Sequence, residues 1–242
     1  MVTVRIQIFQ SRLFHDWIRS SHLVLHVCLS PFLSATICRM IQVIYFDLGK
    51  VIVDFDHSRA AQELLKVTPL SLREAKAVLS DSELVAEYET GRLSSQEHYR
   101  KVCRRLQMDV SMEKFRQLWG SMFLEQPLLS EPFLQALRRH YRLMLLSNTN
   151  EIHFDFLVRN YPILRLIEER LLSYQAGCMK PEARIFELAI KKAGVAPERI
   201  FFTDDRSENI EAAQRAGIQA LQFQSESQLK RDMLSRGMAV AS

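Results

Sequence analysis

The sequence predicts an α/β protein, a Rossmann-like parallel sheet core with a helical cap inserted after its first strand. Three observations carry this. Apolar runs of strand length alternate with helix-periodic segments through the second half of the chain, the pattern of βαβ units. Three of these runs stop abruptly on polar side chains: 44–47 on Asp47, 143–147 on Ser147 and 200–205 on Asp204-Asp205. Residues 56–126, between the first run and the rest, carry helix signals and no strand pattern.

Residues 42–47 read as a buried central strand, β-branched and aromatic until the carboxylate of Asp47. Gly49 breaks it, and Val51-Ile52-Val53 suits a short flap before Asp54. Thr68-Pro69 reads as the cap and first-turn proline of a helix over 70–79. Ser94 and Glu97 form a capping box opening a helix through Leu106. Ser111 begins another through Phe123, and Gly91 separates two of these helices. Past Pro127, Ser130 caps a helix to His140, 142–146 is a strand, and Asn150 caps the next helix. Leu171-Leu172-Ser173 makes a short strand, and Pro181 opens a helix that Gly194 closes. A strand over 200–203, a helix over 207–216 closed by Gly217 and a strand over 218–223 complete the pattern. The expected organisation is a core from 41–55 and 127–242, a cap from 56–126, and an extension over 1–40.

In an open parallel sheet, ligands bind at the carboxyl ends of the strands. That rule brings Asp47, Ser147 and Asp204-Asp205 together, with Lys180 ahead of its proline-started helix. A carboxylate, a hydroxyl, an ammonium and an acidic pair are the inventory for binding a metal and a phosphate at one place. Singly, each has an ordinary explanation. Ser147 suits a strand-end turn, Lys180 an exposed charge, and Asp204-Asp205 a cap ahead of Ser207.

The order and local sequence of these sites resemble the haloacid dehalogenase superfamily over roughly residues 41–224. The matching stretches are Phe46-Asp47-Leu48-Gly49-Lys50-Val51-Ile52-Val53-Asp54, Ser147-Asn148-Thr149-Asn150 and Lys180-Pro181-Glu182-Ala183-Arg184-Ile185, followed by the acidic pair. They are similar to a bacterial subgroup that includes a glucose-1-phosphate phosphatase and is related to the phosphatase domain of soluble epoxide hydrolases. The resemblance implies a Mg2+-dependent phosphatase of small phosphorylated metabolites, sugar phosphates foremost, working through an aspartyl-phosphate. A carboxylate nucleophile approaching a phosphate dianion needs positive charge beside it, and a hard cation on oxygen ligands supplies it. By the resemblance, Asp47 is nucleophile and metal ligand, with the Gly49 backbone oxygen and Asp205 as further ligands. Asp204 would orient Lys180, Ser147 and the Asn148 amide would bind phosphate oxygens, and Lys180 would neutralise developing charge. Asn209 either stands behind the metal or is only a polar residue of a first helical turn.

One position departs from the broad family pattern. Phosphatases of the superfamily usually carry a second Asp two residues after the nucleophile as general acid and base, and here that residue is Gly49. Losing such a group costs about 10²- to 10⁴-fold in rate, although the subgroup that this chain resembles also carries Gly there. Asp54 or Asp56 is a candidate substitute; each also reads as an Asp turn or cap. Two other functions stay open. A 2-haloacid dehalogenase would need no acid for its leaving halide, but it uses no metal and lacks the acidic pair. A catalytically weak member would act by binding or regulation.

The 242 residues, 48% of them apolar, suffice for one domain with an insertion. Net charge is +4, and residues 1–40 hold most of it, with four arginines against one aspartate. No basic stripe of the kind that nucleic-acid binding requires is present. Residues 22–38 are too short and too polar to span a bilayer, so neither nucleic acid nor membrane is an expected partner. Residues 1–40 have some transit-peptide character, but a start at Met40 is the plainer expectation. Cys28, Cys38, Cys103 and Cys178 form no CxxC pair, which suits a reduced cytoplasmic chain, monomeric or homodimeric. His57, His98, His140 and His153 share no metal spacing and are expected at the surface or an interface.

Overall fold

A computed structural model describes residues 41–240; the extension over 1–40, with its proposed start at Met40, and residues 241–242 lie outside the described residues. Five parallel strands form the main sheet: β1 (Val43–Phe46), β4 (Arg142–Ser147), β5 (Glu169–Leu172), β6 (Ile200–Asp204) and β7 (Gln219–Gln222), in the order β5-β4-β1-β6-β7. β1 is central, and its register sets Phe46 beside Leu145 of β4 and Thr203 of β6. Asp47 and Asp204, one residue further on, and Ser147, two residues past Leu145, therefore emerge at one edge of the sheet.

Alternation along β1 builds a layer on each face, because successive strand side chains point to opposite sides. Ile44 and Phe46 pack with Phe133, Leu157, Leu229 and Met233, whereas Val43 and Tyr45 pack with Ile185, Phe186, Ala189 and Ala213. The helices on the first side are α6 (Glu131–Arg138), α7 (Glu151–Asn160) and α11 (Glu226–Ser235); those on the second are α9 (Ala183–Ala193) and α10 (Ser207–Arg215). A short helix, α8 (Ser173–Ala176), follows β5. Phe46, Phe201 and Phe202 are wholly buried, each such burial stabilising by about 1.5–3 kcal/mol.

Between β1 and α6 stand five helices: α1 (His57–Leu64), α2 (Leu72–Leu79), α3 (Ser82–Glu89), α4 (Ser95–Arg105) and α5 (Met112–Gly120). They share a core of their own around Leu64, Leu84, Val102, Leu106 and Phe115, closed by Ile152 from α7. Ser94 and Glu97 form the expected capping box. The expected Thr68-Pro69 start is displaced: Ser71 caps α2 through a capping box with Glu74, while Thr68 donates its hydroxyl to the Leu106 carbonyl. The helix begun at Ser111 stops at Gly120, not Phe123, and 123–127 is a strand where none was expected. This β3 (Phe123–Pro127) pairs antiparallel with β2 (Val53–Phe55) as a two-stranded ribbon. Ser130 heads α6, but its amide and hydroxyl donate to Glu226 instead of its side chain closing the helix. None of the described helices is long and apolar enough to cross a membrane.

Candidate active site

Asp47 stands one residue beyond β1, its amide donating to the Thr203 carbonyl. Lys180 reaches it from the loop before α9. The Lys180 Nζ lies 2.9 Å from Asp47 Oδ1 and 2.5 Å from Asp204 Oδ2, and Lys180 is 3% exposed. An exposed charge is therefore the wrong description of it. The loop is tied down by a reciprocal pair: Lys180 N donates to Asn148 Oδ1, and Asn148 Nδ2 donates to the Lys180 carbonyl, each at 2.8 Å. Asn148 thus spends its side chain on positioning Lys180.

Asp204 is held on all sides. Besides Lys180, it accepts from Asn209 Nδ2 at 2.9 and 3.0 Å and from the Arg206 amide at 2.9 Å. Asn209 is buried in the first turn of α10 with its amide on Asp204. Asp205, half-buried, sits at the rim, and one carboxylate oxygen each from Asp47, Asp204 and Asp205 falls within 4.8 Å of the others. Three hard oxygen donors this close suit a divalent cation of the Mg2+ type. Ser147 is buried on the β4 side, its hydroxyl only loosely engaged with the Asn148 carbonyl at 3.4 Å.

The electrostatics follow from burial. Desolvation pushes the Asp47 carboxyl up to about 6, with Lys180 opposing and Asp204 adding to the rise. Burial works against the Lys180 charge, yet Asp47 and Asp204 together hold its pKa above the ordinary lysine value. Burial, then Asp204, raises Asp205.

Gly49 cannot be read as a vacancy waiting for an acid. A Cβ on it would lie 2.9 Å from Phe55 Cε1, so the ring fills the space a side chain would enter. Asp54 is engaged with Lys50 at 2.5 Å and with the Phe55 amide at 2.8 Å, and Asp56 caps α1 through Ser58. Each thus makes the turn or cap bonds that its sequence position also suggested.

Three polar groups escaped the sequence reading. Glu89, at the end of α3, has its carboxyl pushed up to about 7 by burial and then by the Asp47 charge, against Lys180 and Arg206. His98 is 4% exposed, and His153 has a buried Nε2, so of the two settings expected, surface or interface, neither takes the surface; His57 and His140 are exposed. The end of α3 is pinned to the core where Gly91, at φ 69°, approaches the Tyr174 carbonyl so closely that a Cβ would lie 2.1 Å from it. Nothing local marks these positions, because only the packing of the helices on the core brings them to the strand ends.

A parallel sheet whose central strand ends on a buried carboxylate, flanked by a lysine and two further aspartates, defines a hydrolase centre for an anionic group. The haloacid dehalogenase-like hydrolase family matches residues 41–217, and the chain belongs to it. A D-ribitol-5-phosphate phosphatase of Bacteroides thetaiotaomicron is 33% identical over 192 residues, covering 76% of this chain and 92% of that protein. A haloacid dehalogenase family enzyme structure from the same organism has a TM-score of 0.73 and 27% identity, covering 79% of this chain and 99% of the other. Another structure of that enzyme, in complex with magnesium and inorganic phosphate, has a TM-score of 0.70 and 26% identity over 77% of this chain and 96% of the other.

Proposed function

We propose that this protein is a Mg2+-dependent phosphatase of small phosphorylated metabolites, sugar or polyol phosphates foremost, acting through an aspartyl-phosphate. The observation that carries the reading is Lys180 Nζ between Asp47 and Asp204, beside a free carboxylate on Asp205. The 33% identical D-ribitol-5-phosphate phosphatase supports the substrate class. Asp47, Asp205 and the Gly49 carbonyl are the proposed Mg2+ ligands, because Asp204 is already saturated by Lys180, Asn209 and Arg206. Bound there, Mg2+ supplies the positive charge that lets a carboxylate approach a phosphate dianion.

The chain's own residues do the remainder. Lys180 screens the equatorial oxygens, and the Ser147 hydroxyl with the Asn148 amide holds them in place. An Asp47 oxygen attacks phosphorus as the bond to the leaving oxygen breaks. Glu89, whose half-buried carboxyl is raised to about 7 and so is about half protonated at neutral pH, gives that oxygen its proton in place of the acid absent at Gly49. Water then attacks the phosphorus, giving a proton to the Glu89 carboxylate and so restoring the acid, as the bond to Asp47 breaks and phosphate leaves. Residues 56–126 act as a cap over this centre, on a core of 41–55 and 127–242. The free, buried Cys103 and Cys178 suit a reduced cytoplasmic protein, monomeric or homodimeric.

A dehalogenase reading needs no metal and leaves the Asp47, Asp204 and Asp205 trio without a purpose. The deciding experiment is turnover of p-nitrophenyl phosphate with and without Mg2+ by the unchanged protein and Asp47→Asn. Mg2+-dependent release of phosphate that falls to background in the variant, with the fold retained by circular dichroism, is expected. Turnover that survives in Asp47→Asn would sink the aspartyl-phosphate route.

A further inference from the structure

A cavity of about 520 Å³ opens between the helical insertion and the core, with Glu89 and Asn150 in its wall. Asn150 lies three residues past Ser147 and caps α7, the helix that carries His153, so one wall of the cavity starts from the loop that ends β4. Most of its wall is apolar, but His98, Tyr88 and His153 line it as well. His98 is buried, and no group among the described residues bonds either of its ring nitrogens. His153 is tied through Nδ1 to Asn150 at 3.0 Å, while its buried Nε2 makes no well-directed hydrogen bond among the described residues, although the Trp119 backbone is near enough to favour its charged form.

Buried polar atoms without partners are rare in native proteins and ask for a reason. Neither ring is loose. His98 stacks on Tyr88, with ring centroids 4.0 Å apart and planes 11° from parallel, and meets Trp119 edge-on at 5.8 Å. His153 meets Phe123 edge-on at 5.3 Å. Burial lowers both imidazoles, His98 to about 4 and His153 to about 3, so both are neutral at pH 7. A neutral imidazole offers one donor and one acceptor. His98 has both free, whereas His153, whose Nδ1 accepts from Asn150, has only its Nε2–H to offer; a hydroxyl answers donor and acceptor alike, while a carboxylate or second phosphate cannot answer the acceptor on His98.

We propose that His98 and His153 determine substrate specificity by hydrogen-bonding hydroxyls of the leaving alcohol, which runs from Asp47 into this cavity. The substrate class is accordingly a phosphomonoester of a neutral polyhydroxyl carbon chain. The inference rests on the phosphatase reading and adds the site that recognises the alcohol.

The test compares D-ribitol 5-phosphate with pentyl phosphate, which has the same number of carbons but no hydroxyls, and with p-nitrophenyl phosphate. His98→Phe should cut kcat/KM for ribitol 5-phosphate by about 10- to 100-fold, the range for a lost hydrogen bond in a closed site. Pentyl and p-nitrophenyl phosphate should change by less than about threefold, as neither offers His98 a partner. His98→Gln, which keeps a donor and an acceptor, should recover part of the loss. The melting temperature of His98→Phe should not fall, because the substitution removes an unpartnered polar group from an aromatic cluster. Equal losses on all three substrates, or none on ribitol 5-phosphate, overturns the proposal. Turnover of p-nitrophenyl phosphate without any preference for ribitol 5-phosphate over pentyl phosphate overturns it too, but leaves the phosphatase reading standing. No turnover of any of the three overturns both.

Discussion

The ring of Phe55 lies where a side chain on residue 49 would begin, Cε1 being 2.9 Å from the position of a Cβ on Gly49. Phe55 is held there by edge-on contacts with His57 and Phe123 and by Lys50 Nζ, 4.8 Å from the ring centroid. Restoring the acid that related phosphatases carry is therefore a packing problem before it is a chemical one. Gly49→Asp is expected to lower stability by about 1–3 kcal/mol, as overpacking does, and not to raise turnover. Phe55→Ala in the same chain should relieve much of that loss. Urea unfolding of both single variants and the double variant measures the coupling, and strictly additive losses would show that the ring is not the obstacle.

Asp204 and Asp205 are neighbours in sequence with opposite surroundings. Asp204 is fully buried under Lys180, Asn209 and the Arg206 amide, whereas Asp205 is half-buried at the rim. Breaking a buried pair by removing one charge costs about 3–5 kcal/mol, so Asp204→Asn should destabilise on that scale while leaving the Mg2+ requirement near normal. Asp205→Asn should unfold like the unchanged protein and, if Asp205 is one of the two carboxylates proposed for the ion, need roughly tenfold or more Mg2+ for half-maximal activity. Paired Mg2+ activation and denaturation curves decide the matter. The reverse pattern would mean the two roles are exchanged.

Glu89→Gln keeps the shape of the side chain and removes its proton. If Glu89 protonates the leaving oxygen, the variant should lose about 10²- to 10⁴-fold on alkyl phosphates. It should lose far less on p-nitrophenyl phosphate, whose leaving group departs as an anion. A uniform loss on both would mark Glu89 as a structural residue of α3 and leave the proton donor elsewhere.

The strand-end residues were legible because a parallel sheet makes position along a strand equivalent to position in space. Asp47, Ser147 and Asp204 end up together through the register that joins Phe46 to Leu145 and Thr203. Their chemistry could be read from residue type alone. The ribbon of β2 and β3 was not legible, since 123–127 alternates poorly and gains its partner only from Val53–Phe55, far off in sequence. The C-terminal helix was missed although Ser225 caps it and Leu229 and Met233 recur at helical spacing, both fully buried on the sheet. That signal was present. For Glu89, His98 and His153 there was none, because each lies on an ordinary helix and its meaning comes from the cavity that the five helices of the insertion enclose with α7.

Burial of His98 and His153 also sets how the protein responds to acid. Desolvation pushes them down to about 4 and about 3 from an ordinary 6.5, with Lys101 adding to the effect at His98, and His98 and His57 adding at His153. Lys76 and Glu89 share the cavity wall and stand among the charges around them. The unfolded chain protonates both imidazoles below about pH 6.5, and the folded chain does so only near their lowered values. Between those limits the unfolded state binds more protons, so stability is intact above pH 6.5 and falls as the pH drops towards 4. Each histidine contributes a slope of about 1.4 kcal/mol per pH unit in that window. Carboxylates titrate across part of the same range, which makes the comparison with His98→Phe the informative one. Urea unfolding at pH 6.5, 5.5 and 4.5 should show that variant losing stability less steeply, by about one proton's worth of slope. An unchanged slope would mean that His98 is as readily protonated in the folded protein as in the unfolded chain, and that the cavity around it is wet and polar.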